Sequence, residues 1–229
     1  MISQLVRVPV DGAAMTGDLV VPTPARAVVL FAHGSGSSRH SPRNRMVAAE
    51  LRTVGMGTLL IDLLTEREDI EDAATGVHRF DIPLLGHRVV GVIDWLAAQH
   101  DTRALPVVLF GASTGAAAAL VAAAERPDQV LTVVSRGGRP DLAGPALEHV
   151  RAPVLFLVGG RDPEVLRLNR EAARRLRVPH SLQVVPGATH LFEEPGALER
   201  VAEAAKEWCD DRLKLVPLRE DGAPETGED

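Results

Sequence analysis

Pro106-Val107-Val108-Leu109-Phe110-Gly111-Ala112-Ser113-Thr114-Gly115 sets a G-x-S-x-G pentapeptide between a short apolar run and an alanine-rich segment that continues to about Glu125. The run is short and rich in β-branched residues, so it reads as a strand buried on both faces. The segment after it has the length and composition of a helix. A serine on such a strand-to-helix turn adopts a strained backbone, and a side chain two residues before or after it would collide with the adjoining elements. Gly111 and Gly115 remove those collisions and leave the hydroxyl of Ser113 exposed above the sheet. The helix start beneath it offers unpaired N–H groups and the positive end of a dipole.

On either side of this unit, apolar β-rich runs alternate with segments of helical period. That is the pattern of an α/β fold, a parallel sheet with helices on both faces. Leu5 to Val10 and Gly17 to Val21 read as an opening hairpin around Asp11-Gly12. Further strands are expected at Ala27–Ala32, Gly57–Asp62, Val130–Val134, Val154–Val158 and Ser181–Val185. Helices are expected at Asn44–Val54, Ile82–Gln99, Pro163–Leu176 and Pro195–Leu213. The polar stretch Thr65 to Arg79 reads as a surface loop beside the site. The interval between the strands at Val130 and Val154 is too short for a large lid. One domain is expected over residues 1–218, followed by a tail, 219–229, whose acidic, Gly/Pro-punctuated sequence predicts disorder.

A serine needs a base to attack at neutral pH, and His190 follows the last predicted strand, in Gly187-Ala188-Thr189-His190. An acid must hold the other imidazole nitrogen. Asp162 closes the turn Gly159-Gly160-Arg161-Asp162 immediately past a buried run, whereas Asp141 lies several residues beyond its strand, where an Asx turn explains it. Asp162 is therefore preferred. The Gly-rich turn His33-Gly34-Ser35-Gly36 follows an early strand, and the N–H of Ser35 with that of Thr114 would form the oxyanion hole. His33 reads as a fixture of that loop. Arg39, Arg43, Arg136 and Arg139 fall in loops after strand ends; Arg39, Arg136 and Arg139 are candidates for receiving an anionic substrate.

On His33-Gly34-Ser35-Gly36, Gly111-Ala112-Ser113-Thr114-Gly115, Gly160-Arg161-Asp162 and Thr189-His190, the chain resembles the α/β-hydrolase superfamily. Within it, the chain is similar to small lidless enzymes like dienelactone hydrolase, over about Ala27 to Leu213. The resemblance implies a mainly parallel sheet of about eight strands and a carboxylic-ester or lactone hydrolase. Dienelactone hydrolase itself uses a cysteine nucleophile, so Ser113 favours the wider serine-esterase reading. Some similar relatives are fused to a phosphoribosyltransferase; the 229 residues here are expected to hold the hydrolase-like part alone.

Composition narrows the alternatives. The net charge is −6 with no dominant basic block, and aromatics comprise two Trp, five Phe and no Tyr. Neither an electrostatic footprint nor a stacking platform for nucleic acid is present. A single cysteine, Cys209, permits no intrachain disulfide and no thiolate-rich metal site. It reads as a core thiol. The N-terminus has no signal-peptide pattern, and no apolar run approaches the roughly 18 residues of a membrane span. A cytoplasmic protein, with no membrane or nucleic-acid partner, no metal and no cofactor, is expected. The expected activity is hydrolysis of a small ester or lactone through an acyl-enzyme. Acyl transfer by the same residues is the first rival, and a non-catalytic binding protein on the same fold the second.

Overall fold

The computed structural model describes residues 1–215; the tail expected at 219–229 lies outside them. Eight strands form one sheet: β1 (Ile2–Val10), β2 (Ala13–Val21), β3 (Ala27–Ala32), β4 (Met56–Ile61), β5 (Val107–Ala112), β6 (Val130–Arg136), β7 (Val154–Gly159) and β8 (His180–Val185). Their spatial order is β1-β2-β4-β3-β5-β6-β7-β8. The β1/β2 and β2/β4 pairs are antiparallel and the rest parallel. The fold is thus the expected α/β-hydrolase architecture, with β3 and β5 side by side near its centre.

Helices cover both faces: α1 (Pro42–Thr53), α2 (Glu66–Thr75), α3 (Ile82–Ala98), α4 (Thr114–Glu125), α5 (Pro163–Arg175) and α6 (Ala197–Leu213). Along β3 the side chains alternate. Val28, Leu30 and Ala32 join the core under α3 and α4, while Ala27, Val29 and Phe31 join the core under α1 and α6, as period-2 pleating demands. Six of the seven alanines of α4, at 116–119, 122 and 123, are buried, which lets that helix lie close to the sheet. No helix among the described residues is long and apolar enough to cross a membrane.

The stretch 65–79 differs from the expected loop, because α2 occupies most of it. Thr65 and Glu68 form a reciprocal capping box at its start. Burial alone would raise the Glu68 carboxyl, but Arg88 and Thr65 bind its charged form and hold it down at about 2. Arg88 donates to Glu68 and to the Leu63 carbonyl, and buried Asp72 accepts from the backbone of His78 and Arg79. Two carboxylates thus fasten a helix whose polar sequence gives no apolar periodicity. Between β6 and β7, 3-10 turns at Pro140–His149 flank Gly144 (φ 55°).

Candidate active site

Ser113 links β5 to α4 with φ 50° and ψ −121°, a backbone state that costs a residue with a Cβ about 1–3 kcal/mol. Its neighbours enforce it. The Ser113 N–H donates to the Arg136 carbonyl at 3.2 Å, and the Ser113 carbonyl accepts from Arg139 N–H at 3.0 Å and Ala116 N–H at 3.1 Å. A Cβ on Gly111 would lie 2.4 Å from Ala116 Cα, and one on Gly115 would lie 2.2 Å from the Ala32 carbonyl oxygen. Both positions exclude any side chain, for the reason the pentapeptide suggests.

His190 lies in the loop after β8, and its Nδ1 is 2.7 Å from Asp162 Oδ2. The two loops that carry them are interlocked. Arg161 N–H donates to the Ala188 carbonyl at 2.9 Å, and Gly160 N–H to that of Val185 at 2.9 Å. Asp162 also N-caps α5, accepting from Val165 N–H at 3.4 Å. Phe192, with φ 57° and only 1% exposed, pins the His190 loop into the core. Gly137 (φ 52°) lies against the same loop, since a Cβ there would be 3.1 Å from the His190 carbonyl oxygen and 3.6 Å from its Cε1. Among the described residues no hydrogen bond joins Ser113 Oγ to His190; such bonds commonly tighten only around substrate. Asp141 is held elsewhere, by both arms of the Arg139 guanidinium at 2.9 and 2.8 Å.

The turn after β3 reaches the elbow from the other side. A Cβ on Gly34 would be 3.0 Å from Ser113 Cβ. His33 Nε2 accepts from Leu63 N–H at 3.0 Å and its Nδ1 donates to the Gly34 carbonyl at 3.0 Å, so the ring braces the loop. Burial pushes the His33 imidazole down, against the opposing pull of the Gly34 carbonyl, Asp62 and Asp69. The Ser35 N–H donates to Thr114 Oγ1 at 3.0 Å. The two residues expected to form the oxyanion hole are therefore brought together, with that amide engaged by the Thr114 hydroxyl. The N–H of Thr114, first residue of α4, has no intrahelical partner.

The three candidate arginines have different fates. Arg39 binds Asp62 through its backbone N–H and side chain and lies 3.7 Å from Asp18. Arg139 is committed to Asp141. They do not converge on Ser113 as free cations. Arg136, 7% exposed, has no carboxylate partner among the described residues. Gly137 and Phe192 escaped sequence reasoning, although the paired glycines of Arg136-Gly137-Gly138-Arg139, directly past a strand end, were a signal of close approach. No group of three or more His, Cys, Asp or Glu that could hold a metal occurs among the described residues.

Comparisons with known proteins identify the family and the fold. Residues 14–216 match the family model described as "Dienelactone hydrolase family". The crystal structure of a dienelactone hydrolase from Anabaena variabilis is 55% identical, with a TM-score of 0.90 over 92% of this chain and 97% of that one. Est1E from Butyrivibrio proteoclasticus, 17% identical, shares the fold with a TM-score of 0.77 over 92% and 99% of the two chains. Proteins of two Mycobacterium tuberculosis strains named "Putative phosphoribosyl transferase" are 57% identical over 199 residues. The match spans 87% of this chain and 44% of theirs, less than half their length. The chain belongs to the dienelactone hydrolase family.

Proposed function

We propose that this protein is a serine hydrolase of small carboxylic esters or lactones, acting through an acyl-enzyme on Ser113. The observation that carries the reading is the 2.7 Å contact of Asp162 with His190 beside a serine held at φ 50°. With Nδ1–H directed at the carboxylate, Nε2 is left as the basic atom that takes the Ser113 proton. Asp162 then stabilises the imidazolium that results. Ser113 Oγ attacks the acyl carbonyl; the alcohol leaves with the proton from His190; water, deprotonated by the same ring, releases the acid. Thr114 N–H and Ser35 N–H receive the oxyanion, whose oxygen displaces Thr114 Oγ1 from the Ser35 amide. The family and the Anabaena relative support hydrolysis. The transferase name of the Mycobacterium relatives attaches to proteins more than twice as long as the matched segment.

A fluorophosphonate probe tests this directly. One equivalent should label the protein, abolish hydrolysis of a short activated ester, and fail to label Ser113→Ala. A folded protein that takes no label overturns the proposal.

A further inference from the structure

The buried stripe of α5 runs through Val165, Asn169, Ala172 and Ala173, at the spacing that sets one helix face against the core. Asn169 is its polar member and is 0% exposed. Its Nδ2 donates to the Val165 carbonyl at 2.7 Å, one turn back on the helix, and to the Gly138 carbonyl at 2.9 Å, 31 residues earlier in the chain. Its Oδ1 is buried and accepts no hydrogen bond among the described residues. Turning the amide over would set that oxygen against two carbonyl oxygens, so the partners fix its orientation. A leucine would fill this place without leaving a buried polar atom unpaired. What asparagine adds is the pair of bonds made by its NH2.

Those two acceptors belong to the two halves of the site. Val165 donates its N–H to Asp162 Oδ1 at 3.4 Å, so the turn that Asn169 holds by its carbonyl is the turn that holds Asp162. Gly138 lies in the segment that brackets Ser113, with the Arg136 carbonyl on the serine N–H at 3.2 Å and the Arg139 N–H on the serine carbonyl at 3.0 Å. Gly138 is itself wedged, since a Cβ there would lie 2.0 Å from Ser135 Oγ and 2.6 Å from Ala116 Cβ. Its carbonyl accepts no other hydrogen bond among the described residues. We propose that Asn169 is a positioning residue: its NH2 fastens Gly138 to the first turn of α5 and so fixes Ser113 relative to the Asp162–His190 pair. This rests on the hydrolase reading of Ser113. Asn169 makes no hydrogen bond to Ser113, Asp162 or His190 among the described residues. It therefore acts on the chemical step through the placement of the serine, where a shift of about 1 Å can cost about 10²-fold in rate.

Two variants test this, assayed on a short activated ester with active sites counted by the fluorophosphonate probe. Asn169→Leu keeps the packing and removes both donations. Its kcat per labelled site should fall about tenfold or more, with KM within about twofold of the wild type. Asn169→Asp supplies a readout that packing alone does not move. Burial and the facing carbonyl favour its protonated carboxyl, which donates its one proton to Gly138 while Val165 keeps its helical partner. The carboxylate anion donates nothing and repels the Gly138 oxygen. The ratio of its kcat to that of the wild type should be highest near about pH 5.5 and fall about tenfold toward about pH 9. If Asn169→Leu does not fold, the pH dependence of Asn169→Asp decides alone. A lower Tm with kcat per site within about twofold of the wild type in Asn169→Leu, or a flat ratio for Asn169→Asp, overturns the inference and leaves Asn169 a packing residue. That result in an active wild type leaves the hydrolase reading standing. A wild type that neither takes the label nor hydrolyses an ester removes the hydrolase reading and this inference with it.

Discussion

Asp162 divides its carboxylate between two tasks: Oδ2 lies 2.7 Å from Nδ1 of His190, while Oδ1 accepts from Val165 N–H in the first turn of α5. The helix therefore fixes the carboxylate that, in the proposed mechanism, orients the base. Asparagine caps a helix as well as aspartate does but carries no charge. Asp162→Asn should keep its stability and lose roughly 10³–10⁴ in acylation rate, measured from the burst with an activated ester. Asp162→Ala should lose a similar rate and about 1 kcal/mol of unfolding free energy as well. Asp141→Asn, whose carboxylate serves Arg139, should acylate at nearly the wild-type rate. A burst from Asp162→Asn within tenfold of wild type would refute the assignment.

Thr114 Oγ1 occupies the Ser35 amide at rest, so in the proposed mechanism it competes with the substrate oxygen. Thr114→Val keeps the shape and removes the acceptor. Its kcat/KM should match or exceed that of the wild type by up to about threefold, while stability falls by about 1 kcal/mol or less for the lost hydrogen bond. A fall of about 10² in kcat would instead assign the hydroxyl a direct part in the reaction.

Two glycines of similar backbone separate strain from function. Gly137 (φ 52°) and Gly144 (φ 55°) both sit where a Cβ is penalised. Added at Gly137 it would be 3.1 Å from the His190 carbonyl oxygen and 3.2 Å from Phe192 Cε2; at Gly144 it would meet nothing within 4 Å. Each Ala variant should lose about 1 kcal/mol or more. Only Gly137→Ala should also lose kcat, by about tenfold or more, through displacement of His190. Equal activities in the two variants, with both folded, would disprove this.

The low pKa of buried His33 has a definite sign. The unfolded chain takes up a proton near the ordinary imidazole value of 6.5, which the folded ring resists, so the unfolded state binds more protons. The contribution of His33 is whole above pH 6.5 and is lost as pH falls through the folded pKa. Urea unfolding should show stability declining below about pH 6.5, with a shallower decline in His33→Gln. An equally steep decline in the variant would place the acid sensitivity elsewhere.

Cys209 is 1% exposed, and burial pushes its thiol up to about 12. A maleimide should leave the native protein unlabelled and fully active, then react once urea unfolds it. Rapid native labelling with loss of activity would contradict this burial.

The elbow was legible because its constraints are local. Gly111 and Gly115 are required by atoms within a few residues of Ser113 or on the adjoining strand, and two glycines at fixed spacing display that requirement. Asp162 could be separated from Asp141 by its distance from a strand end, a quantity the apolar runs supply. The helix at Glu66–Thr75 was hidden because Glu68 and Asp72, rather than an apolar face, fasten it, and their partners Arg88 and Arg79 are joined to them by the fold. The fates of the arginines were hidden for the same reason. Arg39 meets Asp62 across 23 residues, and Arg136 meets Asn44 across 92.

The segment from Arg136 to Arg139 grips Ser113 at its N–H and its carbonyl and presses Gly137 against the His190 loop. One short span thus sets the register of the proposed nucleophile and the proposed base together, and lengthening it by a single residue would shift both. The wall formed by the Gly36–His40 turn and α2 borders open space instead, so residues inserted there displace no such contacts. That wall is the place to graft longer loops; the β6 side is the fixed jaw.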